Sequence, residues 1–192
     1  MTAVPDWLRP PVDGFTADDL DRLPDLPPHT ELLDGSLIFV SPQKYFHSLA
    51  MSLLETSLRA SAPDDARVTR EMTVTLGERD RPEPDIVVIR ATAARAGRKQ
   101  TGFQAADVLL AVEVVSPDSR IRDREVKPRK YARAGIPHFW RVEEDENEYP
   151  VVYVYELDPA AEGYSLTGIF HDRLETTVPY PVDIDLTAID RL

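Results

Sequence analysis

The chain contains no cysteine. Disulfides and thiolate metal ligands are therefore excluded, and the composition fits a reducing cytoplasm. It also lacks any apolar run near the roughly 18 residues that a membrane helix needs, so no membrane partner is expected. Residues 1–11 lack the basic-then-apolar pattern of a signal peptide. No internal repeat, low-complexity tract, recognition helix or aromatic stacking platform stands out. Basic residues are scarce in the C-terminal third, where positions 142–192 hold thirteen acids against Arg173 and Arg191, a net of −11. The overall charge of −12 is concentrated there, and the first 141 residues are close to neutral. An acidic total alone disfavours nucleic acid. Segment 120–133 runs the other way, with seven basic residues against two acidic ones.

What is present reads as one domain. At 192 residues, 42% hydrophobic and 29% charged, the chain can bury a substantial core. Its most informative stretch is Leu109-Leu110-Ala111-Val112-Glu113-Val114-Val115, a short apolar run closed by the turn signal Ser116-Pro117-Asp118-Ser119. The run predicts a strand buried on both faces. A carboxylate inside such a strand needs a cation, a metal ion or an open cleft, because an isolated buried charge is costly.

The remaining pattern predicts a mixed sheet flanked by helices, an α/β (α+β) fold with additional C-terminal strands. A short helix is expected at 17–22 behind the N-cap Thr16, followed by the breakers Pro24, Pro27 and Pro28. Residues 31–40 read as two strands joined at Asp34-Gly35. The apolar spacing of Phe46, Leu49, Ala50, Leu53, Leu54 and Leu58 predicts a helix over 45–61. Strands are expected at 68–76 and 82–89, the second entered through Pro82-Glu83-Pro84-Asp85. Residues 90–107, with Arg90, Arg95, Arg98, Lys99, Gly97 and Gly102, read as a loop with a short helix at 92–96. A helix covers part of 123–134, its regular portion starting near Val126 because of Pro128 and ending at Gly135. Strands follow at 138–142, 151–157 and 164–170, with an extended segment at 182–186. The strands at 151–157 and 164–170 are expected to extend the sheet or to mediate self-association, and a homodimer is the expected assembly.

Asp85 and Glu113 lie on two apolar strands, 28 positions apart in the sequence. If those strands are neighbours, the two carboxylates can share a divalent cation. Such hard oxygen ligands suit Mg²⁺, with Mn²⁺ as a substitute, and the backbone carbonyl of Val114 can add a third protein ligand. Lys127 opens the following helix, where an ammonium can orient an attacking water and offset charge on a phosphorane-like transition state.

A Pro-Asp at a strand mouth and a Glu on a later strand resemble the PD-(D/E)xK nuclease superfamily. Val115 stands where the simple motif has lysine. One group carries the lysine on the next helix, and the chain resembles that group, the Uma-two family of restriction-endonuclease-like proteins. The resemblance rests on Glu31-Leu32-Leu33-Asp34-Gly35, His47, Pro84-Asp85-Ile86-Val87-Val88 and Val112-Glu113-Val114-Val115-Ser116-Pro117. It continues through Lys127, Tyr131-Ala132-Arg133-Ala134-Gly135-Ile136-Pro137 and Phe139-Trp140. It implies a restriction-endonuclease-like domain spanning 1–192, with a core at about 16–157 and a β extension at 158–192. It also implies a Mg²⁺-dependent site acting on DNA, with Asp85 and Glu113 as ligands, Lys127 as the basic partner and Glu31 as a further acid. Pro128 departs from the family's apolar helix residue, which leaves Lys130 as an alternative to Lys127.

Structural roles compete with each of these. Glu113 can pair with Arg90, Arg120 or Lys127, Glu31 can be a surface strand residue, and His47 can be structural or support the site from behind. The basic residues of 120–133 and 90–99 are expected to hold a phosphate backbone if the site is a nuclease. The competing expectation is a binding module on a nuclease fold without turnover.

Overall fold

The computed structural model describes residues 5–96, 99–161 and 163–192. Gly97 and Arg98 of the basic loop lie outside them. Among the described residues, no helix is long and apolar enough to cross a membrane.

The N-terminal part holds 3-10 turns at Asp6–Leu8 and Ala17–Asp21, the second tighter than the expected helix. Strands β1 (Glu31–Leu33) and β2 (Ser36–Ile38) pair antiparallel around Asp34 and Gly35, whose φ values of 49° and 76° are both positive. That is the backbone a two-residue hairpin turn requires and the reason for the Asp-Gly pair. The tip is anchored. The Asp34 amide donates to Asp80 Oδ1 at 2.8 Å, and the Gly35 amide donates to the Arg79 carbonyl at 2.8 Å. Helix α1 (Tyr45–Ser61) has the predicted bounds and buries His47, Ala50, Met51, Leu53, Leu54 and Leu58.

The single strand expected at 68–76 is two: β3 (Ala66–Arg70) and β4 (Thr73–Thr75). Glu71 breaks it with a φ of 52°, and its amide donates to the Asp85 carbonyl at 3.1 Å. Next come β5 (Ile86–Arg90), a 3-10 turn at Ala93–Ala96, β6 (Gly102–Gln104) and β7 (Val108–Val114). Strand β6 was not apparent in the sequence; it pairs parallel with β4 outside the main sheet. A π-helical turn (Arg122–Val126) then runs into α2 (Lys127–Arg133). The chain finishes with β8 (His138–Glu144), β9 (Pro150–Asp158), β10 (Gly163–Phe170), β11 (Arg173–Thr176), β12 (Val182–Asp185) and a 3-10 segment at Leu186–Arg191.

Six strands form the central sheet in the order β10-β9-β8-β7-β5-β3. Only β7 and β8 are parallel in it, joined by a crossover through the π-turn and α2; the other pairs are antiparallel. Strands β9 and β10 extend the sheet beyond β8, as their position in the sequence predicts. The centre is covered on both faces, so β5 and β7 are almost wholly buried. One face packs Ile86, Leu110, Val112 and Trp140 against α1, which is backed by Leu174, Tyr180, Ile184 and Leu186 from the C-terminal hairpin and tail. The other packs Val87, Ala111 and Phe139 against Tyr131 and Ile136 of the α2 crossover. Side-chain alternation puts Glu113 on the α2 face with Ala111.

Candidate active site

Strand pairing brings the acids together. Ile86 of β5 lies opposite Val112 of β7, so Asp85, one residue before the strand, falls beside the end of β7. Its Oδ2 accepts the Val114 amide at 2.6 Å. Its Oδ1 lies 3.1 Å from His47 Nε2 of α1. Burial opposes the charged form of His47, but the hydrogen bond and charge of Asp85 and the Val114 carbonyl outweigh it and raise its pKa. The Val114 carbonyl therefore borders the same space as Asp85.

Lys127 faces this rim from the other side. Its Nζ lies 2.7 Å from Glu31 Oε1, 3.0 Å from Glu113 Oε2 and 3.4 Å from Asp123 Oδ1. Tyr131 donates its hydroxyl to Glu113 Oε1 at 2.5 Å. Glu31 also accepts the Glu83 amide at 2.9 Å. All four charged side chains are buried, Glu113 being 1% exposed.

The local sequence explains how the lysine arrives there. Pro128 has no amide hydrogen, and an α-helical residue four places earlier would collide with its ring. The preceding π-turn widens the helix, and the Lys127 amide reaches the Arg122 carbonyl five residues back. Pro128 thereby sits in the first turn of α2, where its missing donor costs little. Lys130, the alternative, does not join the site. It lies 2.6 Å from Asp34 and 2.7 Å from Asp80, tying α2 to the hairpin tip. That contact holds β1 in place and so supports Glu31. Neither Arg90 nor Arg120 pairs with Glu113 among the described contacts.

Charge decides what the cluster can hold. Three carboxylates surround one ammonium, so with all of them ionised two negative charges stand unmatched in a buried space. Burial raises the pKa of Glu113 well above the carboxylate range; Lys127 opposes this, and Asp123, Asp85 and Glu31 add to it. Asp123 is raised by the same burial. Burial works against the Lys127 charge, but its acidic neighbours overcome it, and its pKa stands well above the ordinary lysine value. Lys127 is thus a fixed cation. A divalent ion would neutralise the surplus, and the donor set suits one: two carboxylates and a carbonyl, all hard oxygen. Among the described residues, no three His, Asp or Glu side chains form a ready metal centre. A Mg²⁺ ion, which keeps several waters and takes one or two carboxylates, does not require three.

The cluster opens into a cleft of about 530 Å³, whose walls include Asp85, Glu113, Val114, Lys127, Glu31 and His47. His29 and Glu83 form a further pair on its wall, Nδ1 to Oε1 at 2.5 Å. The basic segment is only partly available. Arg124 is bound to Glu143 through Nε at 3.0 Å, and Lys127 and Lys130 are committed as described. Arg122 reaches the cleft wall.

Sequence reasoning missed Asp123, Tyr131 and the His29–Glu83 pair. The first two had a signal. Asp123, Lys127 and Tyr131 are spaced by four, which stacks them on one helical face. The His29–Glu83 pair joins two loops 54 positions apart and left no local pattern.

A mixed sheet with two acids at the rim of adjacent strands, and a lysine from the crossover helix bound to the second of them, matches a restriction-endonuclease-like nuclease fold. The chain belongs to the Uma2 family, described as "putative restriction endonuclease", whose model matches residues 17–188. Its fold is similar to that of a "putative nuclease" from Anabaena variabilis, with a TM-score of 0.67 at 20% identity, covering 86% of this chain and 89% of that one. No curated protein matches the sequence. Kinship with restriction-endonuclease-like proteins points to divalent-metal chemistry and a nucleic-acid substrate.

Proposed function

We propose that this protein is a cytoplasmic, metal-dependent nuclease that hydrolyses phosphodiester bonds of DNA. The observation carrying this reading is the convergence of Asp85, Glu113, Glu31 and Lys127 on one open cleft. Asp85, Glu113 and the Val114 carbonyl would hold Mg²⁺, with Mn²⁺ able to replace it. When bound, the ion supplies Lewis-acid polarisation of the scissile phosphate and a lowered pKa for a coordinated water. Lys127, charged at any working pH, orients that water or stabilises charge on the transferring phosphoryl group. Glu31 and Asp123 keep the ammonium aimed. Tyr131 fixes the second oxygen of Glu113, and His47 fixes Asp85. Arg122 at the wall offers a contact to the DNA backbone.

The depth of Glu113 and the closure of Lys127 among three acids favour a second reading, a binding module whose ion cluster is purely structural. Plasmid nicking separates the two. Purified protein is expected to nick supercoiled DNA with Mg²⁺ or Mn²⁺ and not with EDTA, and Glu113→Gln is expected to lose on the order of 100-fold or more. Nicking by Glu113→Gln at the wild-type rate would overturn the mechanism. No nicking by the wild-type protein, with no heat of metal binding, would favour the binding module.

A further inference from the structure

A second cavity, of about 370 Å³, lies between α2 and the outer strands β8, β9 and β10. Four arginines line it, Arg124, Arg129, Arg133 and Arg141, against one acid, Glu125. In a protein of net charge −12 this reverses the local sign. Glu143 braces two of them, accepting from Arg124 Nε at 3.0 Å and lying 2.7 Å from Arg141 Nε. One carboxylate cannot use the ten N–H donors of two guanidinium groups, so most remain available. Arg129 has only Glu125, 4.0 Å away and exposed. Arg133 is exposed and has no ion-pair partner among the described residues.

The floor is aromatic. Phe139 packs on Tyr155 and Tyr164, with ring centroids 5.7 Å apart in each case. The Arg141 guanidinium lies 4.4 Å from the ring centre of Tyr153 and 5.5 Å from that of Tyr155. Register places the exposed Leu166 and Ile169 of β10 opposite Tyr155 and Tyr153, so the apolar shelf continues outward from the cavity. Arginine forks suit phosphate, and half-buried tyrosines beside stacked guanidinium groups suit the face of a base.

We propose that this cavity binds an unpaired nucleotide of a nucleic-acid strand, with arginines on the phosphate and Tyr155 under the base. The choice of a strand over a free nucleotide rests on the nuclease reading. The two cavities flank the same helix, about 10 Å across. Tyr131 connects them, bonding Glu113 with its hydroxyl and packing against Phe139 at 5.9 Å. A strand held at the second cavity would pass a neighbouring phosphate toward the cleft. The protein would then favour substrates with single-stranded or frayed segments over intact duplex.

The test is fluorescence anisotropy with a short labelled poly-dT oligonucleotide in EDTA, where no cleavage occurs. Wild-type protein is expected to bind it more tightly than a duplex of the same length. Arg129→Gln/Arg133→Gln, both at exposed positions, should weaken binding and lower the salt slope by about 1.4, or about 0.7 per lost phosphate contact. Tyr155→Ala should weaken binding by about five-fold or more through lost stacking. A folded double-arginine variant with unchanged affinity and salt slope overturns the proposal, as does dTMP binding without oligonucleotide binding. A plasmid assay without nicking alongside arginine-dependent oligonucleotide binding would overturn the nuclease reading and leave this site standing.

Discussion

Replacing Lys127 with methionine probes the ion cluster most sharply. The wild-type protein opposes Glu31, Glu113 and Asp123 with one ammonium within 3.4 Å of each. Methionine approximates the aliphatic stem and deletes the charge, so three buried carboxylates face each other alone. Removing one partner of a buried pair costs about 3–5 kcal/mol. For a chain of this size each kcal/mol lowers Tm by roughly 2–4 °C, so a fall of about 6–20 °C is expected. The pH dependence carries the diagnostic sign. Without Lys127, Glu113 and Asp123, already raised by burial, rise further above their unfolded values. The native state then binds more protons than the unfolded state, and stability increases as pH falls through the raised native pKa values toward the unfolded ones. Urea unfolding in EDTA from pH 8 to pH 5 should therefore show the gap between Lys127→Met and wild type narrowing with acid. A gap below 1 kcal/mol, or one that widens on acidification, would refute the account of the cluster as a surplus of buried negative charge.

Tyr131→Phe removes one buried donor to a carboxylate, whose cost is about 1.5–3 kcal/mol; denaturant unfolding should show that loss, and an unchanged midpoint would mean that the bond does not form in solution. Asp21, bonded to buried Arg81 at 2.6 Å, has its carboxyl pKa lowered first by that hydrogen bond. Its stabilisation is present above the unfolded value of about 3.9 and is lost as pH falls through the lower native value. Thermal melts of Asp21→Asn and wild type should thus differ at neutral pH and converge in strong acid, and a gap that persists at the lowest pH would count against the pairing.

Much of the frame was legible because it rests on local signals. The helix at 45–61 followed from its apolar spacing, the hairpin from Asp34-Gly35, and the Glu113 strand from an apolar run too short for a helix. The break within 68–76 is not legible, because nothing in its composition marks Glu71 as the residue that turns into positive φ; a long-range bond to the Asp85 carbonyl holds it there. Strands β6 and β11 are three and four residues long and are defined by their partners rather than by their own pattern. At the site, the candidate acids and Lys127 could be named from motif order. Their number could not: Asp123 looked like one of two acids in a basic helix, and its burial depends on the π-turn that Pro128 accompanies. The aromatic shelf escaped notice because Phe139, Tyr153, Tyr155 and Tyr164 come from three strands and meet only in the sheet.

The most direct measurement is anomalous diffraction from a crystal soaked in Mn²⁺. The account predicts a peak between the Asp85 and Glu113 carboxylates within reach of the Val114 carbonyl, with Lys127 still held by Glu31. A well-diffracting soaked crystal with no peak there, or with Mn²⁺ bound only elsewhere, would contradict the claim that these two acids form a metal-binding nuclease centre.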